Sequence, residues 1–98
     1  MLPPNPARGE VVVTIAGAPR RLCLTLGALA RIEAALGLKD WSQLPDRIAM
    51  LSAGDLSAVL AALLDGGGEA PEIADRATVP EAASALAAAL AAALAACA

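Results

Sequence analysis

The sequence predicts an α+β fold, one N-terminal antiparallel β-hairpin packed against three to four α-helices. Three observations carry this. From Glu10 to Ile15 the residues alternate, with Val11, Val13 and Ile15 on one side and Val12 and Thr14 on the other, the two-residue period of a half-buried strand. After the turn-forming "AGAPR", Leu22, Leu24 and Leu26 line one face of a second strand, close enough to pair with the first as a hairpin. From Leu26 the period becomes helical, through Leu29, Ile32 and Leu36, so the chain folds back over the hairpin it has just made. A lone hairpin is marginal in water, and its apolar face needs those helices as a cover.

Taken in order, residues 1–9, "MLPPNPARG", hold three prolines and read as an extended N-terminal arm rather than a signal peptide, which needs a basic region before an apolar run. Residues 10–68 form the hairpin-plus-helix core. Gly17 and Pro19 are the turn residues. Thr25 is placed to cap a helix over Leu26 to Leu36, and Gly37 to stop it. Trp41, Leu44, Ile48 and Leu51 fall at helical spacing, but Pro45 cannot lie inside a helix, so a short turn at 41–44 precedes a helix over Pro45 to Leu51. Ser52 and Asp55 make a capping box for the best amphipathic stripe in the chain, Leu56, Val59, Leu60, Leu63 and Leu64. Gly66 to Gly68 end it, and "DGGGE" reads as a flexible connection, since no Lys-Ser/Thr follows to make a phosphate cradle. Residues 69–79 read as a loop. Thr78 and Glu81 form a second capping box, and 80–98 an Ala/Leu-rich C-terminal helix. Its three leucines are spaced by four and drift slowly round the helix, so they share one side.

Composition excludes several functions. The chain is 98 residues, one domain's length, and 58 % apolar, but nearly half of that apolar share is Ala, so the core must rest on Leu, Ile and Val. Net charge is −3, with a small basic excess before Met50 and an acidic excess after it. There is no basic patch and no aromatic platform for nucleic acid. The chain has no His and no Tyr, and Lys39 is its one Lys, so neither catalytic residues nor an enzymatic role is expected. Two Cys, at 23 and 97, make neither a disulfide framework nor a metal site, and suit a reducing cytoplasm. No cofactor site is visible. The uncharged run 82–98 approaches bilayer-spanning length, but its Ala content and its lack of flanking anchors favour a soluble helix.

What remains is binding. Leu86, Leu90 and Leu94 form a narrow apolar stripe that serves either a partner or the chain's own core. Trp41 reads as a core anchor or a contact hot spot. Arg20 and Arg21 read as a solvated strand edge or as a contact.

The stretch "GEVVVTIAGAPRRLCLTLGALARIEAALG", Gly9 to Gly37, resembles the start of a small tail protein family of gene transfer agents and siphovirus-like prophages. "LSAGDLSAVLAALLDGGG", Leu51 to Gly68, is similar to that family's second helix and glycine stop. The family is grouped with tail assembly chaperones and has also been labelled a tail tube protein. The resemblance implies a cytoplasmic assembly factor that binds the tape measure protein and helps tail tube subunits polymerise on it. It leaves open a homo-oligomer, and it leaves a structural, tail tube-associated subunit as the alternative. The few strand residues favour the chaperone.

Overall fold

The predicted hairpin is present in the computed structural model, which describes residues 4–39, 41–43 and 50–96. Strand β1, Glu10–Ile15, pairs antiparallel with β2, Ala18–Cys23, in a register running from Glu10 opposite Cys23 to Ile15 opposite Ala18. Ala16 (φ 54°) and Gly17 (φ 79°) make the two-residue turn, both left-handed, the geometry whose twist matches the strands it joins. Such a turn makes Ile15–Ala18 a hydrogen-bonded pair. Alternation along the ladder then leaves Thr14–Pro19, Val12–Arg21 and Glu10–Cys23 with their N–H and C=O groups pointing outward. Pro19 lies in β2 and not in the turn, at a position where its missing donor breaks no ladder bond.

Val11, Val13, Ile15 and Leu22 share the face turned to the core, and Ile15 and Leu22 are fully buried. Leu24 is half-buried, but Leu26 is 84 % exposed. The strand alternation stops at Cys23 because Thr25 already caps the first helix, so Leu26 belongs to a helical turn rather than to the strand face.

Helix α1, Leu26–Leu36, starts where Thr25 Oγ1 accepts the Ala28 N–H at 3.0 Å, and it ends at left-handed Gly37. Its buried side is Ala28, Ile32 and Leu36. Helix α2, Ala53–Gly66, starts where Ser52 Oγ accepts the Asp55 N–H, and it buries Val59, Leu60, Leu63 and Leu64. Helix α3, Val79–Ala96, opens with the predicted box: the Thr78 N–H donates to Glu81 Oε1 at 2.9 Å and the Glu81 N–H to Thr78 Oγ1 at 3.2 Å. Glu81 Oε1 also accepts the Ala16 N–H at 3.5 Å, while Ala93 lies against Gly9. Helix α3 therefore runs antiparallel to β1, from the hairpin's turn to its open end. Helix α2 packs against α3, β2 and α1, giving a slab of 35 × 31 × 19 Å.

The N-terminal segment is more than an extended arm. Pro6–Arg8 form a 3-10 turn, with Asn5 Oδ1 accepting the Ala7 N–H and the Asn5 carbonyl accepting from the Arg8 and Glu10 amides. Gly9 is buried. Residues 69–79 likewise hold a 3-10 helix, Pro71–Arg76, with Ala74 buried in the core. Trp41–Gln43 form the short turn. The helix expected over Pro45 to Leu51 lies mostly outside the described residues.

The largest departure concerns "DGGGE". It is a tight contact, not a flexible connection. A Cβ on Gly66 would overlap the Cys23 carbonyl oxygen, and one on Gly67 would overlap the carbonyl of Arg21. Two residues later, Glu69 Oε2 accepts the outward Arg21 N–H at 3.0 Å. The end of α2 thus seals the outer edge of β2, and only residues without a Cβ let the backbones come that close. Gly67→Ala should cost about 3 kcal/mol, the upper range for overpacking, because the atom it meets is backbone and cannot swing aside. Gly68→Ala meets open space and bears only its positive φ, about 1 kcal/mol. Urea melts of the two variants should show that order; equal midpoints would mean the edge is not sealed.

Candidate interaction surface

Leu86 is not available to a partner. It is 5 % exposed and sits in the core beside Ala82, Ala85 and Ala89, whose small side chains let α3 approach the hairpin and α2 closely. Leu90 is partly buried against the same core, and Leu94 is 68 % exposed. The stripe turns out of the core because each four-residue step advances about 40° around a helix, so two steps carry Leu94 well past the packed side. Leu94 also lies one residue beyond Ala93, where the hairpin ends. The sequence expectation of three leucines sharing one side therefore gives way to one core leucine, one at the margin and one facing solvent. By length and composition alone α3 could cross a bilayer, but in this fold its inner side closes the core.

Arg20 and Arg21 are held within the fold rather than solvated. Arg20 Nε donates to the Ile15 carbonyl at 3.4 Å. Arg21 Nε lies 3.8 Å from Glu10 Oε1, and the Arg21 side chain is mostly covered. Glu10 is the node of this end of the molecule. Its Oε1 accepts the Asn5 N–H at 2.9 Å and its Oε2 lies 3.3 Å from Arg8, so the N-terminal turn, β1 and β2 converge on one carboxylate. Cys23 completes the junction: its thiol donates to the Arg8 carbonyl at 3.3 Å. Burial, aided by the Glu10 charge and opposed by Arg8, pushes that thiol's pKa up and keeps it protonated at neutral pH. Trp41 heads its 3-10 turn, and its side chain lies outside what the structure describes.

Among the described residues the exposed large apolar side chains are Leu26, Met50, Val79 and Leu94. Leu26 follows Cys23, the partner of Glu10, by three residues, and Leu94 follows the Ala93 that touches Gly9. Both therefore lie at the hairpin's open end. Thr25 as a helix cap was the signal that could have identified Leu26 as an outward residue of a first helical turn. Among the described residues no group of three His, Cys, Asp or Glu is placed to hold a metal.

Over residues 8–97 the chain matches the family described as phage tail tube protein, GTA-gp10. The chain belongs to this family of gene transfer agent tail proteins. No curated protein and no solved structure matches it. The matched span takes in both strands and all three α-helices described above and begins at Arg8, the last residue of the N-terminal 3-10 turn.

Two predictions follow from the placement of α3 in this GTA-gp10 protein. Leu86→Ala should cost about 2–5 kcal/mol, whereas Leu94→Ala should stay within about 0.5 kcal/mol of the parent in thermal melts. Comparable losses for both would place Leu94 in the core. The second concerns Glu81, whose pKa is lowered chiefly by the Thr78 amide, with partial burial opposing and the Ala16 amide adding to it. A carboxyl depressed in the folded state stabilises above its unfolded pKa, and that contribution is lost as pH falls through the folded value. The stability gap between the parent and Glu81→Gln should therefore be widest near neutrality and close at acid pH. A gap that does not change with pH would remove the carboxylate from the account.

Proposed function

We propose that this GTA-gp10 chain is a tail assembly chaperone, binding the tape measure protein in the cytoplasm of the producing bacterium and promoting assembly of tail tube subunits upon it. The observation that carries this reading is the small amount of sheet. The described residues contain two six-residue strands, and the outer edge of β2 is already occupied by the chain's own Gly66–Glu69. A subunit that closes a tube wall through strands needs more sheet and open edges. A helical partner needs neither, only apolar side chains for its own apolar stripe, and Leu26 and Leu94 are such side chains at one end of the molecule. The role calls for no catalysis and no cofactor.

A second reading, a structural subunit associated with the tail tube, is favoured by the family's description. The two differ in where the protein ends up. Quantitative mass spectrometry of purified particles should find it absent or far below the major tube protein while it is abundant in producing cells. Recovery at tube-like stoichiometry would establish the structural subunit instead.

A further inference from the structure

The segment before β1 is fastened differently from the rest of the molecule. Among the described residues the contiguous core includes nothing before Val11. Pro4, Asn5, Ala7 and Arg8 are exposed, and Gly9 is buried against the α3 backbone at Ala93. The bonds that hold the segment are polar, and they meet at one carboxylate. Glu10 Oε1 accepts the Asn5 N–H, and Glu10 Oε2 lies beside Arg8, whose side chain is 63 % exposed. The Asn5 carbonyl and Oδ1 close the turn on itself. Solvent-facing ion pairs of this kind contribute little to stability. Beneath the turn lies a side chain that the core does not account for. Cys23 is 1 % exposed, yet it stands outside the contiguous core cluster. Its thiol donates to the Arg8 carbonyl at 3.3 Å, so on that side the turn is its cover.

We propose that residues 4–8 form a clasp that opens as a unit about Gly9 while the hairpin and the three helices stay folded. Gly9, in left-handed backbone (φ 76°), is the joint between the turn and β1. Opening breaks the Asn5 and Arg8 contacts with Glu10, the Asn5 carbonyl's bond from the Glu10 amide and the thiol's bond to Arg8. It breaks no bond of the β1–β2 ladder, because Glu10 and Cys23 are an outward-facing pair. Arg21 stays beside Glu10, so the carboxylate keeps a counter-charge in the open state. Local openings span free energies from near zero to the global value, and a segment without core side chains belongs at the low end. The open state uncovers Cys23 and the side of α3 against which Pro6–Arg8 lies, at the end of the molecule that carries Leu26 and Leu94. The clasp thereby sets how much apolar surface that end presents.

The test uses the full chain carrying Cys97→Ser, which leaves Cys23 as its single thiol. Alkylation by iodoacetamide is followed by mass spectrometry and compared with the rate in the urea-unfolded chain. Cys23 should react at least tenfold more slowly than the unfolded chain, at a rate nearly flat in low urea, since opening the clasp exposes little surface. Glu10→Ala removes the anchor and Asn5→Ala removes the cap on the Ala7 amide. Each should speed labelling at least fivefold. Leu86→Ala, which weakens the core, should leave the rate unchanged. Labelling that rises with urea in step with global unfolding, or that Leu86→Ala accelerates, overturns the proposal, since Cys23 is then reached only when the whole fold opens. Labelling at the unfolded-chain rate overturns it too, as does a rate that neither clasp variant changes. The urea dependence of the parent decides even where a variant fails to fold.

Discussion

The structure depends on how closely the end of α2 approaches the outer edge of β2. Gly66 and Gly67 bring backbone against backbone at Cys23 and Arg21, and Glu69 takes the Arg21 amide. A two-stranded hairpin has little stability of its own, and its two edges are unsatisfied rows of donors and acceptors. Sealing one of them fixes where the hairpin lies relative to α2. That placement turns Ile15 and Leu22 toward Val59, Leu60, Leu63 and Leu64, and it leaves a space on the β1 side that α3 fills with Ala82, Ala85 and Ala89. Together the close approaches of Gly66 and Gly67 and the Glu69 hydrogen bond set the geometry of a core that combines nine larger aliphatic side chains with six alanines.

That core has consequences for function. With Ala at six buried positions, close approach and well-formed helix ends add to what the buried Leu, Ile and Val side chains contribute. Thr25, Ser52 and the Thr78–Glu81 box supply those ends. Glu10 does the same for the N-terminal turn, drawing the Asn5 amide, Arg8 and Arg21 to one carboxylate. Among the described residues the exposed large apolar side chains are Leu26 and Leu94, at the hairpin's open end, together with Met50 and Val79. The chain belongs to the GTA-gp10 family of gene transfer agent tail proteins, and in the chaperone reading proposed above Leu26 and Leu94 meet the helical partner.

Much of this was legible in the sequence where local rules decide. The alternation at Glu10–Ile15, the cap at Thr25, the stop at Gly37 and the Thr78–Glu81 box each depend on neighbours within a few residues, and each is found where the pattern puts it. What the sequence hid depends on residues far apart in the chain. Three glycines in a row look the same whether they form a loose connection or the contact face of a helix end; only β2 lying against them distinguishes the two. Arg20 and Arg21 look like a solvated edge until Glu10, Glu69 and the Ile15 carbonyl are brought to them. Leu86 and Leu94 look equivalent until the hairpin is seen to end at Ala93. The N-terminal turn was legible in principle, since Asn5 followed by Pro6 is a helix-start signal, but the surrounding prolines suggested an extended arm.

Native-state hydrogen exchange at the Arg21 amide reads out whether the chain itself closes the β2 edge. An outward-facing amide on an open edge strand exchanges at close to the rate of an unstructured peptide, whereas one held by Glu69 beneath the end of α2 opens only with larger unfolding. Arg21 should exchange as slowly as its ladder-bonded neighbour Leu22, and Glu69→Ala should release it while Leu22 remains protected. Fast exchange at Arg21 in the unaltered protein would mean that the β2 edge is open and that nothing at the end of α2 fixes the hairpin's place.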